Sequence, residues 1–261
     1  MALTDDDRLA AGLAGEAGRR LLALRARGGD PDGLRRDGDR SSHEFLAAEL
    51  AARRPGDAVL SEEGADDPAR LTAGRVWIVD PLDGTREFGE PGRADWAVHV
   101  ALWDSGALTA GAVALPAQRR ILSTADPPAA APRRSTADPG SAAAGRSLPV
   151  TLRLVVSRTR PPEFASRLAE ATGAEIVPLG SAGAKAAAVI CGEADGYVHS
   201  GGQHEWDSAA PVAVALAAGL HASRIDGSKL CYNQAEPWQP DILICQAALA
   251  DMLLGAIGSV R

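Results

Sequence analysis

"VWIVDPLDGTREF", residues 76–88, runs from four apolar residues into two carboxylates, a proline and a Gly-Thr step. The continuous run Val76–Val79 reads as a strand buried on both faces. Asp80 and Asp83 close it three positions apart. A carboxylate at a buried strand end is costly unless something positive meets it. Gly84 lets the backbone approach a ligand, and the amides that open the next turn point at an anion. Acid, Pro, acid, Gly-Thr is therefore more specific than a plain turn.

The flanking sequence supplies further acids at element ends. They are Asp39 in a Gly-Asp-Arg segment, Glu62-Glu63 after "DAVLS", and Asp207 at the start of an apolar helix. Taken alone, Glu62-Glu63 reads as a solvated loop, Asp207 as a helix cap and Asp39 as a turn residue. Brought together, they would repel and raise one another's pKa values, and a hard divalent cation removes that conflict. An oxygen-only set without Cys or His favours Mg²⁺. A carboxylate pair beside an anion cradle suits phosphoester hydrolysis, in which two metals sit ~3.5–4 Å apart.

The chain has 261 residues, of which 46% are hydrophobic and only 4% aromatic, so Ala, Leu and Val do most of the packing. Its formal charge of -7 argues against a nonspecific nucleic-acid partner, which needs a basic stripe. Three cysteines without framework spacing suggest reduced thiols. The acidic start "MALTDDD" lacks the pattern of a secretory signal, and no apolar stretch has the length of a membrane span, so a cytoplasmic protein is expected.

A helix is predicted from the Thr4 cap to Gly28-Gly29, then a polar loop over "DPDGLRRDGDRSS", then a helix over 41–53. "DWAVHVALWDSGALTAGAVAL" reads as a hairpin turning at Asp104-Ser105-Gly106. Residues 124–149, rich in Pro, Ala, Ser and Gly, read as a mobile connection between halves 1–148 and 149–261. The second half alternates strands at "LRLVVS", "AEIVPL", "ADGYVHS" and "DILICQA" with helices, an α/β (α+β) pattern that a purely parallel doubly wound sheet fits poorly.

Three blocks in order, Glu62-Glu63, "WIVDPLDGT" (77–85) and "EWDSAAP" (205–211), resemble the inositol monophosphatase superfamily of Mg²⁺-dependent, lithium-sensitive phosphatases. With their flanks, the resemblance covers nearly the whole chain. Within that superfamily, "VVSRTRPP" (155–162), "GSAGAKAAAVICGEADGYVHSGG" (180–202) and the stretch 205–233 are most similar to the CysQ-type 3′(2′),5′-bisphosphate nucleotidases. The resemblance implies a layered αβαβα sandwich and two to three Mg²⁺ ions per site. Glu62, Asp80 and the Leu82 carbonyl would hold one ion, Asp80, Asp83 and Asp207 a second, and Glu62 with waters a weaker third; Glu63 would stand behind them. Asp39 would pair with Thr85 to orient the attacking water, with Gly84 and Thr85 amides on the scissile phosphate. The related nucleotidases carry Lys-x-Asp-x-Ser-Pro-Val-Thr-x-Ala-Asp before this helix; here "GLRRDGDRSSHEF" keeps Asp39 and lacks the Lys and Thr.

The metal core is shared by sugar, inositol and nucleotide phosphatases, so the substrate must be read in the second half. The resemblance places Ser181 and Lys185 on a nucleotide phosphate, although Lys185 also reads as an exposed helix residue. Ser157, Arg158, Tyr232 and Asn233 are further candidates for phosphate, ribose or adenine contacts. Glu205 would bind a hydroxyl, and Trp206 reads as core. The implied reaction is hydrolysis of the 3′-phosphate of adenosine 3′,5′-bisphosphate (PAP), or of PAPS, by a homodimer. The alternatives are an inositol monophosphatase, a fructose-1,6-bisphosphatase, or a catalytically silent phosphometabolite-binding protein.

Overall fold

The computed structural model describes residues 4–129 and 151–261. Most of the predicted connection at 124–149 therefore lies outside the described residues. The elements in chain order are α1 (Asp5–Ala26), α2 (Pro31–Arg53), β1 (Ala58–Ser61), β2 (Arg75–Asp83), α3 (Thr85–Gly89), β3 (Ala97–Asp104), β4 (Ala107–Leu115) and β5 (Arg120–Ser123). The second half adds β6 (Arg153–Ser157), α4 (Ala165–Thr172), β7 (Glu175–Leu179), α5 (Ala182–Ile190), β8 (Gly196–His204), α6 (Glu205–Ala217), β9 (His221–Ser223), β10 (Trp238–Cys245) and α7 (Ala250–Val260).

Two five-stranded sheets result, ordered β1-β2-β3-β4-β5 and β7-β6-β8-β10-β9. Parallel pairs β1/β2, β6/β7 and β6/β8 mix with antiparallel ones, as the sequence pattern implied. Three apolar clusters define the layers. Leu13, Leu21, Leu46 and Leu50 of α1 and α2 pack with Trp77 and Val79 on one face of the first sheet. Val76 and Ile78 face the opposite way, into a core built with the alanine-rich α5 and α6 and the second sheet. Phe164, Leu168, Leu253 and Ile257 of the α4–α7 side cover the outer face of that second sheet. The stacking is αβαβα, and small residues on α5 and α6 let two sheets close on one helical layer.

The polar loop expected over residues 30–42 is instead the first part of α2. Asp30 caps it by accepting the amides of Asp32 and Gly33, with Pro31 in the first turn. Ion pairs Asp32–Arg35 and Asp37–Arg40 run along its exposed side. No apolar period marks this stretch because little of it is buried; Gly38 is a buried exception. A Cβ there would lie 2.9 Å from both Leu82 and Phe88, so glycine permits the approach of α2 to the end of β2. Among the described residues, no helix is long and apolar enough to cross a membrane.

Candidate active site

Strand periodicity alone would send Asp80 and Asp83 to opposite faces of the sheet. The structure prevents this. Asp80 pairs with His99 and Asp83 with Ala97, so β2 carries one residue more than β3 between these pairs. This β-bulge at Pro81-Leu82 turns both carboxylates to the face that looks at α5 and α6. Asp207, in the first turn of α6, comes from the opposite side, and carboxylate oxygens of Asp80, Asp83 and Asp207 all lie within 4.8 Å of one another.

Their electrostatics differ according to what faces each one. Burial, reinforced by Glu62, Asp83 and Asp207, pushes Asp80 well above the usual carboxylate range. Burial and the neighbouring Asp83 also raise Asp207, whose carboxylate accepts the His204 amide at 2.6 Å. Glu62 is raised to about 7 by burial of its carboxyl and by Asp207, and it shares a hydrogen bond with Asp80. Asp83 goes the other way. Burial raises it, but the His99 ring, Lys185 and Ser181 outweigh that and hold it far below. Its Oδ2 accepts Ser181 Oγ at 2.5 Å and the Gly183 amide at 2.7 Å, and stands 3.2 Å from His99 Nε2. That leaves Oδ1 of Asp83 for another partner. Clustered hard oxygens, three of them raised by burial and by one another's charge, fit a hard divalent cation.

Beside this cluster, Gly84 sits at φ +85° at the head of α3. A Cβ there would lie 3.1 Å from Ser181 Cβ and 3.2 Å from the Asp95 carbonyl oxygen, so conformation and space both call for glycine. Thr85 Oγ1 lies 3.3 Å from Asp39 Oδ1 and 3.0 Å from the Leu82 carbonyl. Burial and the nearby Glu63 raise Asp39 to about 6.

The acids open onto a cleft of about 320 Å³. Asp83, Asp207, Gly84 and Thr85 line it together with Ser157, Ser181, Lys185 and Arg160. Lys185 is buried, not exposed on its helix. Its Nζ donates to the carbonyls of Gly180 and Ser181 and stands 5.2 Å from the Tyr197 ring centre. Burial lowers it to about 8 against the opposing pull of Asp83 and Asp207. Ser181 donates a hydrogen bond to Asp83 and caps α5 by accepting the Ala184 amide.

Four other expected substrate contacts are placed elsewhere. Arg158 is absorbed by Glu87 and Glu90, at 2.6 and 2.8 Å, and Arg160 lines the cleft in its stead. Glu205 is buried and accepts the amides of Asn233 and Gln234 at 2.6 and 2.8 Å. Asn233 bonds to the buried Arg70, and the Tyr232 hydroxyl lies 3.2 Å from Ser208 Oγ. None of Arg158, Glu205, Tyr232 or Asn233 lines the cleft; the last three clasp the start of α6, which carries Asp207, to the loop at 231–234. Trp206 packs against the inter-sheet core and stacks on His204 at 4.5 Å.

Several site residues were not singled out by sequence. His99 is buried, with Nδ1 3.1 Å from the Trp206 carbonyl, and it links α6 to Asp83. Its signal is a lone polar residue in the apolar alternation of β3. Gly183 abuts it so closely that a Cβ would fall 2.2 Å from His99 Nε2.

The profile of the Inositol monophosphatase family matches residues 10–257. The chain belongs to the inositol monophosphatase family. It is 53% identical over 251 residues to the 3′-phosphoadenosine 5′-phosphate phosphatase of Mycobacterium tuberculosis, covering 93% of this chain and 89% of that protein. Identity to the phosphatase of the same name from Mycobacterium leprae is 50% over 266 residues, covering 98% and 94%. The crystal structure of CysQ from Bacteroides thetaiotaomicron, a bacterial member of the family, superposes with a TM-score of 0.75 at 25% identity over 94% of this chain and 99% of that one.

Proposed function

We propose that this family member is a Mg²⁺-dependent phosphomonoester hydrolase that removes the 3′-phosphate of adenosine 3′,5′-bisphosphate, and of PAPS, leaving AMP or APS. The observation that carries the reading is the pairing of acids and cations in one cleft. Asp83 and Asp207, clustered with Asp80, line it together with the buried Lys185 and the exposed Arg160. The acids suit a cation-bound scissile phosphate, and the cations suit a second anion on the same molecule. An inositol monophosphate has no second phosphate to offer. The names borne by the mycobacterial relatives support the nucleotide over fructose-1,6-bisphosphate.

Glu62, Asp80, Asp83, Asp207 and the Leu82 carbonyl would hold two to three Mg²⁺ ions. When bound, these ions neutralise phosphate charge, acidify a water and stabilise the leaving oxygen. The protein's part is positioning. Asp39, ionised above about pH 6, accepts a hydrogen bond from the Thr85 hydroxyl. A Thr85 lone pair is then left to accept a hydrogen bond from the attacking water and aim it in line. Gly84 and Thr85 amides meet the phosphate oxygens. Asp83 is kept ionised by His99, Ser181 and the Gly183 amide, so that its free oxygen stays available. The chain's two halves divide the work, most ligands coming from the first and Asp207 with the cationic wall from the second. Lithium inhibition, a homodimer and a cytoplasmic role in clearing a by-product of sulfate assimilation belong to the same reading.

The test compares kcat/KM for PAP, PAPS, inositol 1-phosphate and fructose-1,6-bisphosphate with Mg²⁺ present. A preference for PAP or PAPS is expected; a preference for either sugar phosphate overturns the nucleotidase reading.

A further inference from the structure

Buried polar atoms in folded proteins are almost always paired. Two on β8 are not. His199 Nδ1 and Gln203 Nε2 have no hydrogen-bond partner among the described residues, although the side chains are only 4% and 7% exposed. Both residues line the cleft that holds the acids. His199 also borders a second space of about 440 Å³, flanked by Arg160, Pro161, Phe164 and Gly201.

The chemistry of the two atoms is defined by their surroundings. His199 Nε2 lies 2.9 Å from the Gly202 carbonyl, which only accepts, so Nε2 carries the proton. Burial, Lys185 and Arg160 keep the ring neutral by pushing its pKa down. Nδ1 is then a lone-pair acceptor. Gln203 Nε2 is a donor. A phosphate at neutral pH accepts far more readily than it donates, so it leaves the His199 acceptor unmet. A group that donates at one atom and accepts at its neighbour satisfies both.

We propose that His199 and Gln203 read the amino edge of the nucleobase, His199 Nδ1 accepting from the exocyclic amine of adenine and Gln203 Nε2 donating to the adjacent six-membered-ring nitrogen, N1. The space beside His199 seats the rest of the base against Phe164 and Pro161. This rests on the nucleotide reading above and adds to it the residues that choose the base. Hypoxanthine inverts the pattern, with an oxygen where adenine carries its amine and an N–H where adenine has a bare nitrogen. Both pairs then become mismatched, and sites built on such pairs reject the wrong partner strongly.

The experiment measures kcat/KM with Mg²⁺ for adenosine, inosine and 2′-deoxyadenosine 3′,5′-bisphosphates and for para-nitrophenyl phosphate. Wild type is expected to favour adenosine over inosine at least tenfold and to treat the deoxy substrate like the ribo one. His199→Leu and Gln203→Met are each expected to shrink the adenosine-to-inosine ratio through KM, with para-nitrophenyl phosphate turnover unchanged. The wild-type comparison stands even if a variant fails to fold. Equal use of adenosine and inosine substrates by an enzyme that hydrolyses PAP overturns the base assignment alone. So does a loss confined to the deoxy substrate, which would assign the pair to a ribose hydroxyl. Hydrolysis of para-nitrophenyl phosphate without hydrolysis of PAP overturns the nucleotide reading together with it.

Discussion

Asp39→Asn should stabilise the fold while abolishing turnover. The Asp39 carboxyl is raised from 3.8 to about 6 in the folded chain, first by burial and then by Glu63. A rise of that size corresponds to about 3 kcal/mol of extra cost for holding the ionised form, an upper figure for a partly exposed group. The sign follows from linkage. The folded state binds the proton more tightly than the unfolded chain, so the wild type loses stability as pH climbs from about 4 to about 6. Above that range the loss is constant. Asparagine keeps an oxygen that accepts from Thr85 and cannot ionise, so the variant escapes the loss. Urea denaturation in EDTA, at pH 4.5 and pH 8, reads the difference. Asp39→Asn should match wild type within about 1 kcal/mol at the lower pH and exceed it by about 1–3 kcal/mol at the higher one. Turnover of PAP should fall by at least about a hundredfold, the usual scale for losing a positioned acid–base group. A variant less stable than wild type at pH 8, or a difference that does not change with pH, would refute the reasoning.

Asp83→Asn should act in the opposite direction. Its carboxylate is favoured in the fold, so its stabilisation is present above the unfolded value and lost as pH falls; at pH 7 the variant should lose about 1.5–3 kcal/mol in denaturant titration, along with turnover. Gly84→Ala should lower the melting temperature by about 2–8 °C, from a left-handed φ cost of about 1–2 kcal/mol and contacts on Ser181 and Asp95. Glu205→Ala should destabilise by about 2–4 kcal/mol, because one buried and one partly buried amide lose their acceptor, yet leave KM for PAP unaltered; a raised KM would return Glu205 to the substrate site. The Mg²⁺-induced rise in melting temperature should grow from pH 5 to pH 8, as Glu62, Asp80 and Asp207 shed protons to receive the ion, and a rise independent of pH would argue against these ligands.

What a sequence conveys depends on whether a feature is local. β2 was legible because a strand buried on both faces leaves an uninterrupted apolar run, and α1 because Thr4 and the acids after it form a capping box. The hairpin of β3 and β4 was legible from its Ser-Gly turn. The first part of α2 was not, since an exposed helix held by Asp–Arg pairs has no apolar period to detect. Nor was the bulge that puts Asp80 and Asp83 on one face, because register belongs to two strands at once. Arg158 looked available for phosphate because its partner Glu87 lies 71 residues away in the chain. Glu205 read as a hydroxyl-binding acid through the family resemblance, whereas it accepts amides from a loop 28 residues further along the chain. His199 and Gln203 gave no local signal at all; only folding leaves their nitrogens buried without partners.

The most direct test of the site is phosphate release from adenosine 3′,5′-bisphosphate by the purified chain, with Mg²⁺ and with EDTA, while the nucleotide product is identified. Release that requires Mg²⁺, yields AMP and is lost in Asp207→Asn is the expected result. Release undiminished by EDTA, or no release with Mg²⁺ present, would contradict it.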